Sequence, residues 1–297
     1  MKKILILLML VIFLTACNLP NIGGSNPPEA TEIPATQPAL PPTALPAEPS
    51  AAVVPTTEPI DGTEMNLGGV YMIIPSCLPV TPSGVIVPAQ PTNEAGMSYG
   101  IWPQHRQFSF SGYPLSGKFF EPIMRVYPVA EYAALQDFVN QQVTALQTLT
   151  ASQPAQVEES LPFLPTLGAA QVFHVNMQYL NFQNGAGVRF LTEYAQYSAP
   201  YNNHDLFYAF QGLTSDGKYW VSAMFPINHP ILPPTYDSTE VPAGGIPIPQ
   251  MSSATYVEDM NAYQADMKAL IESQPADSFT PAMDCLDRYF TSLSIGD

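Results

Sequence analysis

Positive charge is what this chain has least of. Nine Lys and Arg stand against 25 Asp and Glu, for a formal net charge of −16. Such a surface repels phosphate backbones and anionic headgroups, which excludes nucleic acid as a partner. Charge of either sign is scarce, at 11% of residues. Solubility must then come from Asn, Gln, Ser, Thr and Tyr, a composition that suits an exported protein. Tyr with Asn is also common contact chemistry in binding surfaces. Catalytic signatures are missing too: there is no HExxH, GxSxG, Walker loop, CxxC or GxGxxG. Ser215-Asp216-Gly217-Lys218 spells SxxK, but that motif needs a helix to align serine with lysine, and these residues read as a hairpin tip. Acidic pairs such as Glu158-Glu159 and Glu258-Asp259 lack the spaced oxygens of a calcium loop. The four histidines are scattered, and no spacing calls for a metal or other cofactor.

Long apolar runs are absent with one exception. Lys2 and Lys3 precede Ile4–Leu14, a run too short for the roughly 20 residues of a spanning helix. It ends in Leu14-Thr15-Ala16-Cys17, the layout of a secretory signal with a small-residue processing site. This string resembles the lipobox of bacterial lipoproteins. The resemblance implies cleavage before Cys17, a diacylglyceryl thioether on its sulfur and a further acyl chain, such as palmitate, on its amine. Two or more chains anchor a protein stably. The expected location is extracytoplasmic, on the outer face of the cell membrane. Asn18, not Asp, follows the cysteine, which would permit transfer to an outer membrane in a cell that has one. Cysteine is nearly absent otherwise. With Cys17 lipidated, Cys77 and Cys285 remain in an oxidising compartment and are expected to pair, tying the start of the folded domain to its end.

Residues 18–60 are dominated by Pro, Ala, Thr and Glu, as in Pro34-Ala35-Thr36-Gln37-Pro38. They hold too little apolar surface to offset their ordering entropy. They read as a disordered tether, reaching on the order of 130 Å at about 3 Å per residue if fully extended. The remainder, 61–297, reads as one α+β domain.

Its clearest structure lies between 172 and 225. Val172–Leu180 and Gly187–Tyr197 alternate apolar with polar, with Asn184-Gly185 between them as hairpin turn residues. Pairing Gln183 with Ala186 sets Val175 opposite Tyr194 and Asn176 opposite Glu193. A second hairpin, Leu206–Leu213 with Lys218–Phe225, turns at Asp216-Gly217. Pairing Ser215 with Lys218 sets Tyr208 by Phe225 and Phe210 by Ala223. Both its faces are apolar, which predicts a central, doubly covered pair. The four strands make an antiparallel meander, with further strands near 68–74 and 119–127. Apolar stripes predict helices over Val129–Thr150 and Ala254–Ser273. A third starts with Thr280 as N-cap and Pro281 as first helical residue.

Several strings are similar to a family of bacterial lipoproteins of unassigned activity that also carry a proline-rich tether. They are Leu161-Pro162-Phe163-Leu164-Pro165, Gly168-Ala169-Ala170-Gln171-Val172-Phe173-His174, Gly187-Val188-Arg189-Phe190-Leu191-Thr192-Glu193-Tyr194 and Phe207-Tyr208-Ala209-Phe210-Gln211-Gly212-Leu213-Thr214-Ser215-Asp216-Gly217-Lys218-Tyr219. The likeness spans roughly 120–232 and implies no reaction. In outline only, a curved antiparallel sheet with a long C-terminal helix is also similar to PsbP-like domains.

Three places attract functional attention. His174 alternates onto one polar sheet face with Asn176, Gln178, Arg189 and Glu193. In a cleft, His174 and Glu193 could do acid–base work or bind a polar ligand. The string Tyr201-Asn202-Asn203-His204-Asp205 could ligate a metal with His229, though Asn-Asn-His-Asp is also good turn chemistry. The loop Pro226–Gln250, with seven prolines, is long enough to invite a function. The reading favoured by the sequence is a membrane-anchored lipoprotein acting as a binding module for an unknown protein or small molecule. Its alternatives are a hydrolase built on His174 and Glu193, or a structural lipoprotein of a membrane complex.

Overall fold

The computed structural model describes residues 59–93, 96–241 and 244–297. The leader 1–17 with Cys17, and the tether except its last two residues, lie outside the described residues. The order of elements is β1 (Gly62–Leu67), β2 (Val70–Pro75), β3 (Thr81–Val87), β4 (His105–Ser111), β5 (Ile123–Pro128), α1 (Val129–Leu135), α2 (Phe138–Ser152), β6 (Ala170–Phe182), β7 (Gly185–Ala195), β8 (Phe207–Thr214), β9 (Tyr219–Pro226), α3 (Tyr256–Glu272), α4 (Met283–Thr291) and β10 (Ser294–Ile295). This is an α+β arrangement. Seven strands form an antiparallel sheet in the order β3-β4-β5-β9-β8-β7-β6, and β1-β2-β10 form a smaller one. The chain climbs β3-β4-β5, crosses through α1 and α2 to the far edge, and returns as the meander β6-β7-β8-β9 to pair with β5.

The most apolar hairpin lies at the centre. Tyr208 pairs with Phe225, Phe210 with Ala223 and Leu213 with Trp220, the register that the sequence pattern predicts. Helices cover both faces, as the two apolar faces require. On one side, α3, α4 and β2 pack on a core that includes Phe210, Phe225, Tyr289 and Phe290. On the other, α1 and α2 pack through Tyr132 and Leu146 on Phe190, Phe207 and Trp220. Glycine makes room at one crossing: a Cβ on Gly212 would stand 2.7 Å from the Phe210 ring. Cys77, after β2, and Cys285 of α4 stand at disulfide distance, with sulfurs 2.07 Å apart.

The first hairpin departs from its predicted register. Its turn is Gln183-Asn184, with Phe182 paired to Gly185. Asn184 is drawn there because its side chain bonds both the N–H and the carbonyl of Ile295 in β10. Two irregularities then shift the ladder, between Gln171 and Phe173 and between Val175 and Gln178. Each extra residue turns the following side chains to the other face. Val175 therefore meets Leu191, not Tyr194, and Glu193 meets Phe173, not Asn176.

Two helix boundaries also differ. The stretch predicted as one helix over Val129–Thr150 breaks at Gln136, whose backbone is extended and whose side chain bonds the Ile101 carbonyl at 3.2 Å. Thr280 is not an N-cap. It exchanges two 2.9 Å backbone bonds with Asn228, and the last helix starts at Met283.

Candidate functional site

The meander brings three connections to one end of the large sheet. The β4–β5 loop, the β7–β8 loop and the segment after β9 meet there because neighbouring strands run antiparallel. Amide and lysine side chains stitch them together. Lys118 donates to the Asn203 carbonyl at 2.8 Å and to Asn228 Oδ1 at 2.6 Å. Asn203 Nδ2 donates to the carbonyls of His229 and Leu232 at 3.0 and 2.9 Å, and its Oδ1 accepts the His229 N–H. Asn202 closes its own turn, its Oδ1 accepting the N–H groups of His204 and Asp205. Loops held in this way are pre-organised at low entropic cost on binding.

Aromatic rings are displayed on this end. Phe119, Tyr197 and Tyr236 are 60%, 56% and 46% exposed. Tyr197 lies 5.9 Å from Tyr236, Tyr236 lies 6.2 Å from His204, and His204 lies 6.3 Å from Phe119. The row continues inward through Phe120 to the buried Phe207. Exposed apolar rings gathered in one patch mark contact surfaces more often than scattered ones do.

Beside this row a pocket of about 60 Å³ opens between the β7–β8 loop and α3, lined by Glu193, Tyr197, Tyr201, Asp205, Met260 and Tyr263 among others. Glu193 is at its base, 4% exposed. Its Oε1 accepts the Asn202 N–H at 2.7 Å, the single bond to this carboxyl among the described residues. Burial pushes the Glu193 carboxyl well above the usual range; the Asn202 N–H opposes the shift and the charge of Asp205 adds to it. Asp205 is engaged by His204 Nδ1 at 2.6 Å and Asn202 Nδ2 at 3.0 Å. Tyr201 stacks on Phe173 with centroids 4.1 Å apart, and its hydroxyl is buried without a partner among the described residues. Tyr263 accepts the Tyr201 N–H, and burial pushes its phenol up to about 12.

The structure divides the residues that the sequence places on one polar face. Glu193 lies on the α3 side, paired with Phe173, whereas His174 pairs with Thr192 and lies on the α2 side. The bulge between Val175 and Gln178 causes the separation, so the two cannot share a cleft. His174 Nε2 bonds the Val157 carbonyl at 2.9 Å, and burial lowers its imidazole pKa. Asn176 occupies the second bulge with φ 51°. Its carbonyl accepts from Arg189 Nη1, and Gln178 Oε1 accepts from Arg189 Nη2 at 2.5 Å. Arg189 is spent on these and on Asp287. His229 sits behind the site as a fastener: Nε2 meets Ser278 Oγ at 2.9 Å, and Nδ1 accepts the Ile231 N–H at 3.1 Å. With both ring nitrogens occupied, it does not join His204 as a metal ligand. Among the described residues, no three His, Cys, Asp or Glu converge as a metal site. Ser215 and Lys218 flank the hairpin turn, with Lys218 3.5 Å from Asp216 and no helix to align them.

Glu193 and His204 are thus the two candidates brought to one place. Sequence reasoning missed Phe119, Tyr197 and Tyr263. Comparisons of the chain with protein-family models, with curated proteins and with solved structures returned no match.

A pH consequence follows from Glu193. An acid whose folded-state pKa is raised keeps its proton in the native state, so its contribution is complete below the ordinary carboxylate range and is lost as pH rises toward the folded value. Glu193→Gln keeps the acceptor for Asn202 and removes the charge. Its melting temperature relative to wild type is expected to rise steadily from pH 4.5 upward. A difference independent of pH, read by thermal denaturation, would contradict the burial argument.

Proposed function

We propose that the protein is an extracytoplasmic lipoprotein, anchored to the membrane through acyl chains on Cys17, whose domain binds a ligand at the loop end of its large sheet. The observation that carries this reading is the row of exposed rings from Phe119 through His204 and Tyr236 to Tyr197, beside a pocket with a buried carboxyl. Its support from sequence is the lipobox-like string, the proline-rich tether and the Tyr- and Asn-rich composition. A hydrolase using His174 with Glu193 is not retained, because the two side chains lie on opposite faces of the sheet.

The test is made on intact cells. A photocrosslinking residue at Tyr236 is expected to yield a defined adduct, read by mass spectrometry as either small molecule or polypeptide. The same residue at Val85, more exposed than Tyr236 and on the β3 edge, is expected to yield none. Equal adducts at both positions would remove the proposed face. Cys17→Ser is expected to abolish labelled palmitate incorporation and release the chain from the membrane fraction; continued membrane retention would refute the anchor.

A further inference from the structure

The pocket at Glu193 is chemically specific enough to name a ligand class, an inference that rests on the loop end being the binding face. Its base carries a carboxyl that receives one hydrogen bond from the protein. A second carboxyl, Asp205, lines the same space. Among the described residues, neither is paired with Lys or Arg. Independently of these acids, Tyr201 is 1% exposed and its hydroxyl has no partner among the described residues. That ring lies within electrostatic reach of Glu193 and Tyr263, which line the pocket with it. A buried hydroxyl without a bond is costly unless something fills the space before it.

The occupant that answers both groups is a cation that donates hydrogen bonds, drawing Glu193 into its charged form as it enters. The faces of Tyr197, Tyr201 and Tyr263 also favour positive charge. A metal ion is the poorer fit, since no third His, Cys, Asp or Glu converges there among the described residues. Size narrows the choice further. About 60 Å³, at 10–15 Å³ per water-sized group, admits roughly four to six such groups. That suits an ammonium head with a slim stem, whereas a nitrogen bearing four methyls has no N–H to donate to the carboxylate or the hydroxyl. The apolar side of Met260 and the exposed edge of Tyr197 supply a path for the stem.

We infer that this pocket binds the head of a primary alkylammonium ion, its nitrogen held between the Glu193 carboxylate and the Tyr201 hydroxyl and its stem leaving past Tyr197. The acid releases its proton as the cation enters, so each binding event delivers up to one proton to the solvent. The titratable groups facing Glu193 are Asp205, Tyr197 and Tyr201 of the β7–β8 loop and Tyr263 of α3, with His204 bonded to Asp205.

The experiment is a calorimetric titration of the full-length mature chain in detergent with n-propylammonium chloride, at fixed ionic strength maintained with sodium. Saturable binding is expected, with a heat that varies with the buffer's ionisation enthalpy because a proton is released. Glu193→Gln, which keeps the Asn202 bond, is expected to weaken binding at least about tenfold. Tyr201→Phe is expected to weaken binding several-fold while raising the melting temperature of the empty protein, since it removes a buried hydroxyl that has no partner. A purely structural Tyr201 would leave affinity unchanged.

No saturation by propylammonium, equal affinity in Glu193→Gln, or equal binding of tetramethylammonium would each overturn the assignment. Crosslinking at Tyr236 separates the two failures. Specific adducts there without ammonium binding would remove the ligand class alone. Absence of specific adducts in the wild type would remove the binding face with it.

Discussion

Asp287→Ala is expected to cost about 3–5 kcal/mol, because it strands Arg189 as a buried charge without a counterion. Arg189 Nε lies 3.1 Å from Asp287 Oδ1, and the two side chains are 7% and 15% exposed. The same carboxylate accepts the Tyr208 hydroxyl at 2.7 Å, so that group loses its partner as well. Burial raises the Asp287 carboxyl even against the pull of Arg189 and Tyr208, which shows how dry the site is. For a domain of this size the melting temperature should fall on the order of 10 °C. Arg189→Met combined with Asp287→Leu should recover most of the loss, because a buried ion pair replaced whole by apolar groups is often neutral. Single and double variants that melt alike would show that the pair is uncoupled. This pair fastens α4 to the sheet and explains why Arg189 serves the fold and not a ligand.

Cys77→Ala with Cys285→Ala is expected to cost a similar amount, up to roughly 5 kcal/mol in the chain-entropy model for so long a loop. The two residues are separated by 208 positions, so the bridge restricts nearly the whole unfolded domain. It joins α4 to the turn after β2, away from the pocket. Ammonium affinity at Glu193 should therefore survive its removal at temperatures where the protein remains folded. Melting with and without reductant tests the first point, and equal melting temperatures would show that no bridge forms.

The two hairpins show what patterning can and cannot convey. In the second, the apolar residues of both faces, with Asp216-Gly217 at the turn, fit one register and leave no competitor. In the first, strict alternation from Phe173 to Tyr179 is compatible with an unbroken ladder, and nothing local announces two extra residues. The bulge at Asn176 goes with a contact inside the hairpin, Arg189 capturing the Asn176 carbonyl, and the turn is set by a distant one, Asn184 on β10. The edge strand β3, with Pro82, Gly84 and an exposed surface, carries little periodic signal. The site was half legible. The string Tyr201-Asn202-Asn203-His204-Asp205 and the proline-rich segment after β9 stand out by composition, and both reach the site. Phe119, Tyr197 and Tyr263 carry no mark that separates them from core aromatics.

By itself the sequence determined the α+β class, the central hairpin with its register, the pairing partners among the cysteines and the expectation of an exported, tethered domain. These rest on local periodicity, turn chemistry and counting, which act over a few residues or need no geometry. Tertiary structure alone decided that His174 and Glu193 part company, that Arg189 is consumed by Asp287, and that rings from 119, 197 and 236 line up with His204 beside the pocket of Glu193. Those outcomes depend on which faces the bulges select and which loops the antiparallel order brings together. Arg189 is fixed to Asp287, 98 positions away, and Asn184 to Ile295, 111 positions away, contacts that no local window of sequence contains.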